Sequence, residues 1–231
     1  MRERSIRAAV LPPTDEAELL ERAARLPGMT LGELATELGV DVPTEMRRAK
    51  GWAGQLLERA LGASAASRAE PDFVGLGIEL KTLPVDGGGR VLESTFVCTI
   101  ELPEMDRSEW ESSRLRKKLA RVLWVPVEGA RELAPGVRRI GTPFLWSPNE
   151  DDEALLRHDW EEAASMIGRG RTSELTAHTG EVLQVRPKAA RGSSRRRALD
   201  EEGALYDEQP KGFYLRATFT ASLLRRHLWV G

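Results

Sequence analysis

Apolar positions recur at helical spacing through the first third of the chain, then give way to strand-like runs. In "TLGELATELG", Thr30 and Glu33 form a capping-box pattern ahead of Leu34 and Leu38, and Gly39 stands where that helix should stop. "TEMRRAKGWAGQLLERALG" places Trp52, Leu56, Ala60 and Leu61 on one stripe, closed by Gly62. Glu58 lies away from that stripe, near Gly51 and Gly54 on the wheel, so this side is bare backbone open to close approach. After the polar loop "ASAASRAEPD" the period shortens to two, and "GIELKTL", "STFVCTIEL", "RVLWVPVEG" and "RIGTPFLWSP" predict strands. Ser147, Pro148 and Glu150 predict a second capping box, with Pro148 at the first helical position. The helix it opens should carry Leu156, Trp160, Ala164 and Ile167 inward. "EVLQVRPKA" and "GFYLRATF" predict late strands separated by a mobile polar segment, and "TASLLRRHLWV" predicts a closing helix. Helices first, strands in the middle and mixed elements afterwards predict an α/β or α+β domain with a mixed sheet.

At 231 residues, 41% hydrophobic and 30% charged, the chain can bury a core as one domain or as one domain with two lobes. No run of about 18 apolar residues exists, which excludes a membrane-spanning helix. The single cysteine, Cys98, cannot form an internal disulfide, and its place in "TFVCTI" predicts a small buried residue in a reducing, cytoplasmic setting. The net charge of −2 conceals segregation. "NEDDEALLRHDWEEA" is acidic, whereas "RLRKKLAR" (Arg114 to Arg121) carries five cations and no acid, and "RPKAARGSSRRR" (Arg186 to Arg197) carries six and no acid. Such blocks are either solvated faces or the footprint of a polyanion.

The chemistry concentrates in "PDFVGLGIELK". Alternation along a strand puts Glu79 and Lys81 on one face, while Ile78 and Leu80 anchor the other. Gly75 and Gly77 permit a fold-back that brings Asp72 beside Glu79. Two carboxylates repel in one place unless a divalent cation joins them, and a few hard oxygen donors suit Mg²⁺. An ammonium beside them orients water or offsets charge on a phosphate under attack, which fits phosphodiester hydrolysis. A glycosidase also uses two carboxylates but has no need of the lysine. An ordinary strand with charged edges has the same spacing. The chain lacks a Gly-x-Ser-x-Gly elbow, a His-Glu-x-x-His helix and a Walker loop, and His158, His178 and His227 are scattered.

Around that stretch the chain resembles the MutH family of DNA mismatch-repair endonucleases, within the restriction-endonuclease-like superfamily. "MTLGELA", "KGWAGQLLE", "LGASAAS", "DFVGLGIELKTLPVD", "LESTFVC", "KLARVLWVPVEG", "LWSPNE", "LQVRPKAA" and "GFYLRATFT" carry the likeness in order, from about residue 29 to the C-terminal helix. The resemblance implies a mixed sheet flanked by helices, with two lobes around a DNA-binding cleft, in a single endonuclease domain over residues 1–231. It implies Mg²⁺-dependent nicking of the unmethylated strand at hemimethylated or unmethylated GATC, 5′ of the G, by a monomer that MutL stimulates after MutS has found a mismatch. It assigns the metal to Asp72, Glu79 and Glu58, water or transition-state contact to Lys81, and a phosphate to Lys118. It assigns base or methyl reading to Arg186 and Tyr214, a further DNA contact to Lys188, and substrate contacts to Phe96 and Lys50. Core packing is the alternative for Tyr214 and Phe96, and phosphate clamping for Arg186 and Lys188. Arg191 to Arg197 are expected to form a mobile basic flap. Two rival functions remain: a restriction enzyme cutting both strands of GATC, and a DNA-binding module without catalysis.

Overall fold

The computed structural model describes residues 10–44, 51–65, 69–101, 105, 108–188, 196–199 and 205–228. The chain divides into two compact units, Met1–Leu92 with Arg121–Trp146, and Glu93–Ala120 with Ser147–Gly231. The expected single mixed sheet is replaced by two three-stranded sheets and a separate two-stranded ladder.

In the first unit, helices α1 (Glu16–Ala23), α2 (Leu31–Leu38) and α3 (Trp52–Leu61) accompany strands β1 (Glu79–Val85), β3 (Val122–Glu128) and β4 (Phe144–Trp146). The sheet order is β1-β3-β4, parallel between β1 and β3 and antiparallel between β3 and β4. Both bonds of the Thr30–Glu33 capping box are present, and Gly39 ends α2. Gly62 ends α3 with φ 80°, and a Cβ there would stand 2.4 Å from the Leu11 carbonyl oxygen, so only glycine fits. Leu56, Leu57 and Leu61 of α3 pack with Leu19, Leu31, Ile78, Leu80, Leu123 and Val125 into one core. The helical stripe is thus deeper at Leu57 than at Ala60, which is only partly buried. β1 runs two residues further than its alternation predicted, through Pro84, which an edge strand tolerates because one side needs no donor.

In the second unit, β2 (Thr95–Thr99), β8 (Lys211–Leu215) and β5 (Leu183–Pro187) form an antiparallel sheet in the order β2-β8-β5. Its helices are α4 (Arg114–Leu119), α5 (Glu150–Gly168) and α6 (Ala217–Leu228). Three expectations change here. α5 is capped by Asn149, whose side chain accepts from Asp152 N–H, so Pro148 precedes the helix instead of opening it. Ala163, not Ala164, is the buried alanine of α5. The polar segment before β8 is not a plain loop: β6 (Arg196–Leu199) pairs antiparallel with β7 (Leu205–Glu208), and Arg196 and Arg197 of the expected flap lie in that ladder. Residues 191–195 lie outside the described residues. Among the described residues, no helix is long and apolar enough to cross a membrane.

Candidate functional site

Asp72 reaches β1 through a tight reversal. Val74–Leu76 form a 3-10 turn, Gly77 turns the chain back, and Phe73 and Ile78 bridge antiparallel. Both bridge residues are buried, so the reversal is held by core packing as well as by hydrogen bonds. β1 is an edge strand, and Glu79 N–H already points to the β3 side, where it donates to the Arg121 carbonyl at 3.0 Å. By alternation Leu80 N–H points away from the sheet, and Asp72 Oδ2 accepts it at 2.8 Å. The Asp72 carbonyl also accepts from Ser64 and Ala65 N–H at 2.9 and 3.2 Å, which ties the reversal to the loop after α3. Glu79 is only 3% exposed, and its Oε1 lies 2.6 Å from Lys81 Nζ. The carboxylate of Asp72 is therefore fastened to the residue next to Glu79, and the ammonium of Lys81 balances Glu79.

This donor set fits a hard divalent cation: two carboxylates, oxygen atoms only, with the remaining positions left to water and phosphate, as Mg²⁺ prefers. Glu58 does not complete a cluster of three. Among the described residues, no group of three or more His, Cys, Asp or Glu side chains could hold a metal ion. Glu58 sits half-buried on α3, on the side that Gly54 leaves bare, where a Cβ on Gly54 would lie 4.0 Å from its Oε1. Lys118 lies in the second unit, on α4, and is 4% exposed, so the basic block around it is not simply a solvated face. Lys50 lies outside the described residues. His158 and His178 are exposed, and His227 Nδ1 meets its own helix at the Leu223 carbonyl, 2.9 Å away.

The remaining predicted residues meet on one face of the second sheet. Tyr214 stands opposite Phe96 on one side and Gln184 on the other, and Arg186 stands opposite Gly212. The Phe96 and Tyr214 rings pack edge to face, with centroids 5.2 Å apart. The Arg186 guanidinium lies 5.7 Å from the Tyr214 centroid, and Lys188 Nζ lies 4.8 Å from the Phe96 centroid. The result is a cation–ring–ring–cation row, each cation contact contributing about 0.5–1 kcal/mol at an open surface. Neither ring is fully buried: both are half-buried, whereas Phe213 and Leu215 of the same strand fill the interior. Burial raises the Tyr214 phenol above its ordinary value and the Arg186 charge works the other way, the balance remaining upward, so the hydroxyl stays a donor at neutral pH.

Three participants escaped the sequence patterns. Ser94 Oγ accepts from Arg186 Nη1 at 2.9 Å, and Thr99 Oγ1 bonds Lys188 Nζ at 2.8 Å. The register of β2 shifts between Phe96 and Cys98, so Val97 and Cys98 are both buried and Thr99, three residues after Phe96, returns to the face that Phe96 occupies. Strict alternation sends Thr99 to the wrong side. Gly212 is the third: a Cβ there would lie 2.8 Å from Phe96 Cε2, so the missing side chain makes room for the ring.

An acid–acid–lysine edge strand and a cation–aromatic sheet face, in a mixed α/β chain, fit an enzyme that handles nucleic acid, and the comparisons with known proteins define the class. A family profile described as "DNA mismatch repair enzyme MutH" matches residues 61–159. The chain is 53% identical to the DNA mismatch repair protein MutH of Yersinia enterocolitica over 216 residues, covering 94% of this chain and 95% of that protein. It is 50% identical to the protein of that name from Serratia proteamaculans, covering 95% of this chain and 96% of the other, and 47% identical to that of Shewanella oneidensis, covering 94% and 98%. The chain is a DNA mismatch repair enzyme. It belongs to the MutH family.

Proposed function

We propose that the chain nicks the unmethylated strand of hemimethylated or unmethylated GATC sites, 5′ of the G, by Mg²⁺-dependent phosphodiester hydrolysis. The observation that carries this reading is the pair of short contacts on β1: Asp72 to Leu80 N–H at 2.8 Å and Glu79 to Lys81 at 2.6 Å. Together they gather two carboxylates and an ammonium on one edge strand. Asp72 and Glu79 would hold the metal ion, with Glu58 orienting its waters from α3. When bound, the ion would supply Lewis-acid polarisation of the phosphate and ease deprotonation of water. Lys81, whose ammonium sits 2.6 Å from Glu79 Oε1, would orient the attacking water or contact a non-bridging phosphate oxygen, and would meet the charge that grows as the water oxygen approaches phosphorus and a backbone P–O bond breaks. Lys118 would neutralise a phosphate. One such site acting alone would cut one strand, so a monomer would make a nick.

Arg186 and Tyr214 would read base edges in the major groove, where adenine N6 carries or lacks the methyl group. Lys188 and Phe96 would flank them, with Lys50 adding a substrate contact. The enzyme would act in the cytoplasm under stimulation by MutL, itself downstream of MutS. The test is a nicking assay on duplexes with one methylated and one unmethylated GATC strand, scored strand by strand, with Mg²⁺ or with EDTA, and with or without MutL. Cleavage of the unmethylated strand alone, abolished by EDTA, is expected. Cleavage of both strands or of neither would overturn the reading.

A further inference from the structure

We infer that Ser94 is a positioning residue for Arg186 and sets the sequence discrimination of the DNA-reading face, an inference that rests on the function proposed above. Arg186 is an exposed side chain at the end of β5, and a free guanidinium there would sweep a wide arc and contact phosphates of any sequence. Two contacts remove that freedom. The Tyr214 ring lies under the guanidinium, 5.7 Å from centroid to Cζ, and Phe96 fixes the plane of that ring by its edge contact at 5.2 Å. The Ser94 hydroxyl then takes Nη1 at 2.9 Å.

Ring and hydroxyl together fix both the tilt and the rotation of a planar group. One nitrogen edge is occupied, and the rest of the fork is left for a partner that presents two acceptors in one plane, as the O6 and N7 of guanine do. Ser94 immediately precedes β2 and Phe96 is the second residue of that strand, so one short stretch of chain supplies both constraints. The hydroxyl touches the cation that touches the base. Its loss should blur the choice of site while leaving the general attraction to the phosphate backbone untouched.

The experiment compares binding of a GATC duplex with binding of a scrambled duplex of equal composition, without Mg²⁺ so that no strand is cut, for wild type, Ser94→Ala, Ser94→Thr, Arg186→Ala and the Ser94→Ala/Arg186→Ala double variant. Ser94→Ala should lower the GATC-to-scrambled preference about 3- to 10-fold, the range expected for one hydrogen bond. Its affinity for scrambled DNA and its salt slope should stay at the wild-type values. Ser94→Thr, which keeps the hydroxyl, should restore the preference, and Ser94→Ala should add nothing in the Arg186→Ala background. Equal weakening on both duplexes, an unchanged preference, no rescue by threonine, or full additivity with Arg186→Ala would overturn the inference. A wild type with no preference for GATC would instead sink the functional proposal, and this inference with it.

Discussion

Lys81 Nζ lies 2.6 Å from Glu79 Oε1, on a strand where the glutamate is almost wholly shielded from water. A shielded carboxylate needs a counter-charge, and lysine supplies it here; in the proposed chemistry a divalent cation would supply it too. Lys81→Met should therefore lower the unfolding free energy without metal by about 1–3 kcal/mol. Added Mg²⁺ should recover more stability in the variant than in the wild type, because the ion takes over the role of the ammonium. Urea denaturation of both proteins with and without Mg²⁺ measures the two differences, and identical responses to the ion would show that Lys81 is not the balancing charge.

Asp72 does two jobs that can be separated. It accepts the Leu80 N–H through Oδ2, and in the proposed chemistry it also holds the metal. Asp72→Asn keeps an oxygen acceptor but loses the charge, so it should fold with nearly wild-type stability, bind DNA and fail to nick. Asp72→Ala loses both, and should fail to nick and also lose about 1 kcal/mol of stability. Nicking assays beside denaturation curves distinguish them. Mg²⁺-dependent nicking that survives in clean Asp72→Asn protein would remove Asp72 from the metal site.

The sequence exposed this half of the site well because its determinants are local. Strand alternation alone puts Glu79 and Lys81 together, and the two glycines of "VGLGIE" signal the reversal that returns Asp72. The second face was legible in its residues but not in its construction. The sequence likeness pointed to Arg186, Tyr214, Lys188 and Phe96, which the fold brings onto one sheet face, yet nothing in the alternation of "ESTFVCT" announces the register shift that turns Thr99 toward Lys188. A bulge is a property of two strands together, and one strand read alone keeps perfect period. The Asn149 cap was missed for a related reason: Ser147, Pro148 and Glu150 match a capping pattern, but the helix starts at Glu150, and the residue just before it, Asn149, takes the Asp152 N–H. Buried polar groups were the least visible, since Asp159 and Lys118 sit in segments whose composition predicts solvent.

Asp159 supplies a third prediction. It is 2% exposed, and its carboxylate accepts from the N–H groups of Glu181, Val182 and Leu183 at 2.7–2.9 Å. These three donors stand at the start of β5, the strand that carries Arg186. Asp159→Ala should orphan all three and cost about 3 kcal/mol or more. The same change should weaken DNA binding at temperatures where the protein is still folded, because the root of β5 loosens. Hydrogen exchange at Val182 and Leu183 is the direct measurement, and protection unchanged from wild type would contradict the assignment.

Gly212 makes room for a ring. Its missing Cβ would stand 2.8 Å from Phe96 Cε2 and 3.0 Å from the Cys98 carbonyl oxygen. Gly212→Ala must push Phe96 or part the strands, at a cost of about 1–3 kcal/mol. If Phe96 moves, the edge contact to Tyr214 and the seat of Lys188 go with it, so affinity for DNA should fall even where folding is complete. A Gly212→Ala/Phe96→Leu double variant, with a smaller side chain at position 96, should regain most of the lost stability but not the affinity. Regained affinity would mean that the ring itself does not matter.

The acid limb of stability should be set in part by Glu18. Its carboxyl is held down to about 2 by hydrogen bonds, first from Thr14 N–H, then from Arg22 and the Thr14 hydroxyl. A group whose folded value lies below its unfolded value near 4.5 contributes stability that is complete above pH 4.5 and is lost as the pH falls toward 2. Glu16 shifts in the same direction through its hydrogen bonds to Arg121. Glu18→Gln should therefore flatten the fall in stability between about pH 4.5 and pH 2 and lower the plateau above it. Glu18 is solvent-facing and screened, so the difference should shrink as salt is added. Denaturant midpoints measured across that window at low and high salt test both features, and parallel curves for wild type and variant would show that the Thr14–Glu18–Arg22 contacts do not couple to folding.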